Sequence, residues 1–310
     1  MDNLPVIAIR FALYADLLVL TGLVAFSFYA LTREERAAGI LPLMYPAALL
    51  SILGLFLSGI GMVALVAGMM GSSLIAIDTE VLQSLVTESS IGMAWLVRMA
   101  SMVGAIMFAL LLARSPTVAR LGLLASVSLA VATLVWTGHA GATEGSFGWV
   151  HRVSDIVHMM AASIWLGGIA AFIWLLFVPL ARRSPMTLTI THRALEQFSR
   201  VGGMCVALII ATGVINSLIL VGPSNFLVLP RTPYGLLLIA KIALFGVMLL
   251  LAASNRWRLT PMLSAVLNER SEMSAVRKLK ISLLTEGLAA LAVLALVAWL
   301  GTLEPTSALA

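Results

Sequence analysis

Charge is scarce in this chain. Only 11% of its 310 residues are Asp, Glu, Lys or Arg, against roughly 25% in a soluble domain, which excludes a water-bathed globular fold. Cysteine is scarcer still. Cys205 stands alone, so neither a disulfide framework nor a paired-cysteine metal motif can be built. A phosphate loop of the form GxxxxGK[ST] is missing, and no polar segment is long enough to hold a core of its own. ATP-driven chemistry in an extramembrane domain therefore has no place to reside. Low-complexity tracts and a clear internal repeat are also lacking.

What is present is apolar. The chain is 61% hydrophobic, with a mean hydropathy of +1.07. Runs of the roughly 20 residues needed to span a bilayer recur near 6–31, 44–69, 91–113, 118–138, 152–180, 196–220, 233–254 and 280–302. This spacing predicts an all-α polytopic protein with eight transmembrane helices, forming a single membrane domain over 1–310. The first run has no basic leader and no small-residue cleavage site, so it reads as a retained span rather than a signal peptide.

The formal net charge of +5 is distributed in a way that argues against nucleic acid as a partner. Arg33 and Arg36, Arg114 and Arg120, Arg182, Arg183, Arg193 and Arg200, and a last basic stretch over 256–280 occupy alternate loops. The other loops hold Asp78, Glu80, Glu88 and Glu144, with Arg231 as their one clear base. The positive-inside rule places the basic loops in the cytoplasm and both termini outside. The longest basic loop, 255–279, is expected to form a helix on the membrane surface.

Ionisable groups inside a membrane are expensive and mark either a pathway or an internal pair. Here they are Arg10 and Asp16 in the first span, Arg98 in the third, Asp155 and His158 in the fifth, Lys241 in the seventh and Glu286 in the eighth. At a rise of ~1.5 Å per residue, Asp16 lies roughly 15–18 Å deep, Arg98 and Lys241 roughly 10–13 Å from the outer side, and Glu286 roughly 8–10 Å from the inner side. Two readings fit. Asp16, Arg98, Lys241 and Glu286 either neutralise one another as internal ion pairs, or form a polar path for a proton or a cation.

The densest stretch is "HRVSDIVHMMAASIWLGG", His151–Gly168. His151, Asp155 and His158 fall at i, i+4 and i+7, within an arc of about 60° on one helix face. The two histidines are about 10.5 Å apart along the axis, too far for both to grip one ion easily. The natural units are therefore Asp155 with either histidine, completed from another helix. His139, in "WTGHAG" at the end of the fourth span, is the obvious third donor. Imidazole with carboxylate suits Cu(II), Zn(II) or Ni(II), and thioether sulfur suits Cu(I). Met69, Met70, Met93, Met99, Met102, Met159 and Met160 all belong to the outer halves of their spans, so the combination fits copper better than zinc. The plainer readings stand beside these. Methionine commonly fills gaps in membrane helices, His151 could be solvated, His192 reads as surface, and "WLGG" reads as close helix packing.

"GHAG", "HRVSDIVHMMAASIWLGGI", "FSRVGGMCVALIIATGVINS", "TPYGLLLIAKIALFGVMLLLAASNRW" and "LTPML" together resemble the copper resistance protein D family, CopD. The likeness is most specific over 136–263. It implies a bacterial inner-membrane protein, so that the outside on which the termini lie is the periplasm. Such a protein moves copper from periplasm to cytoplasm, or otherwise handles it at the membrane, with a separate periplasmic copper-binding partner of the CopC type. The family's motif histidines fall on His139 and His158, with Asp155 beside the latter. The expected metal-binding set is His139, Asp155, His158, His151, Met159 and Met93. Asp16, Arg98, Lys241 and Glu286 are expected to line the path or pair with one another. Copper is the expected ligand and membrane lipid the surrounding partner, in a transporter rather than an enzyme. Two rival readings remain: a redox protein with a b-type haem or a copper-reducing site, and a non-transporting assembly subunit.

Overall fold

The structure, a computed structural model, describes residues 4–71, 78–177, 185–259 and 272–305. Among these the chain is helical, with no strand. Eight helices are long and apolar enough to cross a membrane, as the hydrophobic runs predict. They are α1 (Leu4–Tyr29), α3 (Met44–Met70), α5 (Ser90–Leu111), α6 (Pro116–Ala132, carried on to Thr137 by a 3-10 turn), α8 (Gly145–Phe177), α9 (Pro185–Val221), α10 (Pro233–Ser254) and α11 (Glu272–Leu300). Three short helices join them: α2 (Arg33–Ala37), α4 (Thr79–Glu88) and α7 (His139–Ala142).

Local chemistry sets many of the boundaries. Asp78 caps α4 by accepting from Glu80 N at 2.8 Å, and Ser89 caps α5 by accepting from Gly92 N at 2.9 Å. Thr232 accepts from Gly235 N at 3.1 Å to open α10, with Pro233 in the first turn, where its missing N–H costs nothing. The fifth helix begins earlier than the apolar run does. Gly145 takes a positive φ of 71°, and the turn it makes possible launches α8 seven residues before 152. The last basic loop is described only at its ends, as a π-helical turn over Asn255–Leu259 and as α11 from Glu272; the expected surface helix falls largely outside the described residues.

The bundle is built around α1 and α8. Gly22 and Gly167 meet where these helices cross. A Cβ on Gly167 would stand 2.1 Å from the Gly22 carbonyl carbon, and one on Gly22 would stand 1.9 Å from Ser163 O. Small residues let backbones approach this closely, and close packing is the main cohesion between helices in lipid. Leu17, Leu20 and Val24 of α1 are fully buried around that crossing. Helices α3 and α6 pack on one flank of α1, with α5 packed against both of them, while α9, α10 and α11 complete the other side.

The start of α1 and the end of α11 share one face of the bundle: Arg10 Nη1 donates to Gly301 O at 2.9 Å. At the opposite face the Thr32 capping box orients Glu35, which pairs with Arg193 of α9. Burial of Glu35 raises its pKa, but hydrogen bonds from Arg193 and Thr32 outweigh that and hold it below the ordinary carboxylate value. Arg120 reaches the Arg36 carbonyl at 3.3 Å on the same side. The bundle thus has a terminal face and a basic face.

Candidate functional site

Helix α8 carries His151, Asp155 and His158 on one face, and α7 brings His139 to meet them. All four side chains line a cavity of about 190 Å³ near the terminal face. Met159, Asn216, Tyr234, Lys241 and Arg10 line it too. Its volume is below the ~300–1,000 Å³ of ordinary small-molecule pockets, and its walls hold many polar groups.

Hydrogen bonding fixes how each histidine presents itself. His158 Nδ1 lies 2.9 Å from Thr212 Oγ1. That hydroxyl gives its single proton to Leu208 O at 2.6 Å, so it accepts from His158, and Nδ1 carries the imidazole proton. Nε2 is left as a bare imine nitrogen. His151 repeats the arrangement: its Nδ1 lies 2.8 Å from Thr143 Oγ1, which donates to His139 O at 3.1 Å. His139 is held the other way round. Its Nε2 lies 3.2 Å from Leu300 O, and a carbonyl can only accept, so Nδ1 is the bare nitrogen. Burial keeps the His139 pKa below the ordinary value despite its bond to Leu300, and Arg10 pushes in the same direction. A metal-ligating histidine characteristically gives its other ring N–H to a carbonyl or hydroxyl that locks the tautomer.

Asp155 supplies the negative charge. Its Oδ1 accepts from Asn216 Nδ2 at 3.2 Å, and Lys241 is the charged group that acts on it electrostatically. Arg10 is spoken for by neutral oxygens: Gly301 O, Thr137 O at 3.0 Å and Tyr14 Oη at 3.4 Å. A charged carboxyl inside a membrane is expensive. The Asn216 bond and the Lys241 field offset part of that cost.

Among the described residues no three His, Cys, Asp or Glu side chains stand close enough to hold one metal ion together. The cavity gathers donors without clamping them into a finished shell. Met159 lines it, whereas Met93 lies on α5 with 61% of its surface exposed and faces away from it.

The other membrane charges are placed separately. Glu286 is buried in α11, with Oε1 accepting from Trp165 Nε1 and Oε2 from Asn255 Nδ2, each at 2.8 Å. Asp16 is buried against α3, where a Cβ on Gly54 would touch its Oδ2 at 2.7 Å, and neither of its oxygens has a hydrogen-bond partner among the described residues. Arg98 is buried in α5, with Nε and Nη1 unbonded among the described residues. The structure does not join Asp16, Arg98, Lys241 and Glu286 into ion pairs. Glu35–Arg193 is the ion pair found among the described residues. Thr143, Thr212, Trp165 and Asn255 were not legible as site residues, because hydroxyl, indole and amide groups carry no signature until a fold gives them partners.

The fold and the site define an all-helical, multi-pass membrane protein with a histidine- and carboxylate-lined cavity near one face. Residues 1–149 match the family described as "Copper resistance protein D-like, N-terminal domain", and residues 192–300 match "Copper resistance protein D". The matched segments flank the stretch of α8 that bears His151, Asp155 and His158. Copper resistance protein D of Pseudomonas syringae pv. tomato is 38% identical over 300 residues, covering 96% of each chain. The inner membrane protein YebZ of Escherichia coli (strain K12) is 27% identical over 258 residues, covering 82% of this chain and 84% of its own. The copper transport protein CutJ of Bacillus subtilis (strain 168) is 34% identical over 118 residues, 38% of this chain and 20% of that one. No solved structure matches the chain. This chain belongs to the copper resistance protein D family, and its place is the inner membrane.

Proposed function

We propose that the protein is a copper permease that takes copper from the periplasm and passes it toward the cytoplasm. The observation that carries this reading is the set of three histidines lining one cavity, each bonded through one ring nitrogen and left with the other bare. Asp155 supplies an anionic donor beside the cationic Arg10 and Lys241, and Met159 adds a thioether at the same wall. Nitrogen and carboxylate donors suit Cu(II), and the sulfur extends the set to Cu(I). Conduction requires binding strong enough to admit an ion and weak enough to release it. Donors that do not converge on one point serve that requirement.

Both termini, and with them the cavity, face the periplasm in this reading, since the opposite face carries the basic loops. A separate copper-binding protein of the CopC type would deliver the ion there. Further in, Glu286 between Trp165 and Asn255 provides the next acidic group, and Asp16 provides another toward α3. Copper is cargo throughout. Arg10 and Lys241 keep the empty cavity from carrying net negative charge.

The test is ligand replacement. His139→Ala and His158→Ala should each lower copper accumulation by cells, and copper binding by the purified protein, roughly tenfold or more, with no loss of folded protein. Uptake and binding that match the unaltered chain in both variants would overturn the capture site.

A further inference from the structure

Helices α9 and α10 follow one another in the chain yet hardly touch. Helix α9 leans on α8 and α10 leans on α11. Between them runs a cavity of about 480 Å³, more than twice the volume of the polar one and within the range of small-molecule pockets. Its outer edges are exposed side chains: Ile210, Val214 and Leu218 on α9, Ile239 and Ile242 on α10. The groove therefore opens sideways, toward the lipid.

Its floor is different. Trp165 and Phe245 meet there edge to face with centroids 5.7 Å apart, and the indole is fixed by its bond to Glu286. His158, Ser217 and Lys241 form the polar tip, and among the described residues no Asp or Glu lines the groove. Lys241 makes no hydrogen bond with any described residue, so its ammonium is left with donors to offer.

We propose that this groove binds an isoprenoid quinone or its quinol, with the ring against Trp165 and Phe245 and an oxygen accepting from Lys241. Three properties of the groove select that class. Its sideways opening admits a molecule already dissolved in the bilayer. Its apolar walls fit a long hydrocarbon tail, and its flat aromatic end with hydrogen-bond donors fits a planar head bearing oxygen. A phospholipid does not fit the tip. Lys241 stands eight residues into α10, roughly 12 Å below the terminal face at ~1.5 Å per residue, and a phosphate would have to leave the interface to reach it. His158 and Lys241 wall both cavities, so the quinone head would lie next to the copper-capturing donors.

The experiment is to purify the full chain in mild detergent, extract it with organic solvent and measure quinone, phospholipid and free fatty acid per chain. Decylubiquinone binding by the delipidated protein is measured in parallel. Quinone near one per chain, falling at least tenfold in Val214→Trp and in Lys241→Met, is the expected result. Val214→Trp fills the groove from its lipid-facing rim and lies outside the polar cavity, so its copper binding should stay unchanged; that separates this site from the capture site. Quinone at the level carried by bulk lipid in both variants, or a groove found to retain phospholipid or fatty acid instead, would overturn the proposal.

Discussion

Trp165 of α8 and Glu286 of α11 are joined by a 2.8 Å hydrogen bond from indole Nε1 to carboxylate Oε1, deep in the bundle. Asn255 holds the second oxygen from the turn that ends α10. One carboxyl thus ties together three helices, and the site of that tie is a π-helical turn, a distortion found often where helices do work.

Glu286→Gln separates the two duties of that group. Gln keeps one acceptor and the shape, so the bundle should assemble, but the negative charge is gone. Copper capture near the terminal face should be unaffected, while uptake in cells falls by roughly tenfold or more if Glu286 receives the ion or a proton inside the membrane. Equilibrium copper binding measured beside uptake decides it. Full uptake in Glu286→Gln would reduce the residue to a structural tie.

Thr212→Val removes only a hydroxyl, yet it should weaken copper binding by about 10–100-fold, the usual effect of losing a partner that orients a metal-ligating histidine. Val fills nearly the same space, so the cost in stability should be about 1–3 kcal/mol, the penalty for leaving His158 Nδ1 unpaired. Thr212→Ser, which keeps the hydroxyl, should restore binding. A Val variant with unaltered affinity would show that the tautomer of His158 does not matter.

Apolar run length carries the eight spans almost unaided, because a bilayer imposes one length scale on every helix. The face shared by His151, Asp155 and His158 was equally legible, since helix periodicity alone brings residues at i, i+4 and i+7 together. His139 followed from its place at the end of the fourth span, just before α8 begins. What sequence could not reveal was partnership across helices. Nothing in the spacing of Thr212 and His158, or of Trp165 and Glu286, indicates that they touch, and sequence depth alone suggested that Asp16, Arg98, Lys241 and Glu286 could pair. Depth is one coordinate; pairing also needs the rotation of each helix, and packing around Gly22 and Gly167 sets that.

Gly167→Leu tests this packing. A side chain there would meet the Gly22 backbone at contact distances no atom tolerates, so α1 and α8 must separate. Overpacking ordinarily costs about 1–3 kcal/mol, and a backbone-to-backbone crossing has less room to yield than a side-chain contact. The expected outcome is a sharp drop in folded protein and in thermal midpoint in detergent. Gly246→Leu, at a helix position with open space around it, should leave both unchanged. Equal behaviour of the two variants would remove the crossing from the account of the fold.

Acidity gives the last test, and its sign follows from His139. Burial first, and Arg10 after it, hold the imidazole below its ordinary value, with the Leu300 bond opposing. In the folded protein His139 therefore stays neutral, its Nδ1 open to a metal, as pH falls through the 6.5 at which a free histidine takes up its proton. Below that pH the unfolded chain binds a proton that the folded chain refuses, so this group removes stability as pH falls toward its folded value and removes none above 6.5. Copper binding should accordingly persist from neutral pH to below 6.5 and then decline as protons compete for the bare nitrogens. The measurement is a copper titration of the purified protein across that range, with His139→Gln alongside. A decline centred at or above the ordinary histidine value would mean that His139 is solvated, and the buried cavity would lose its first donor.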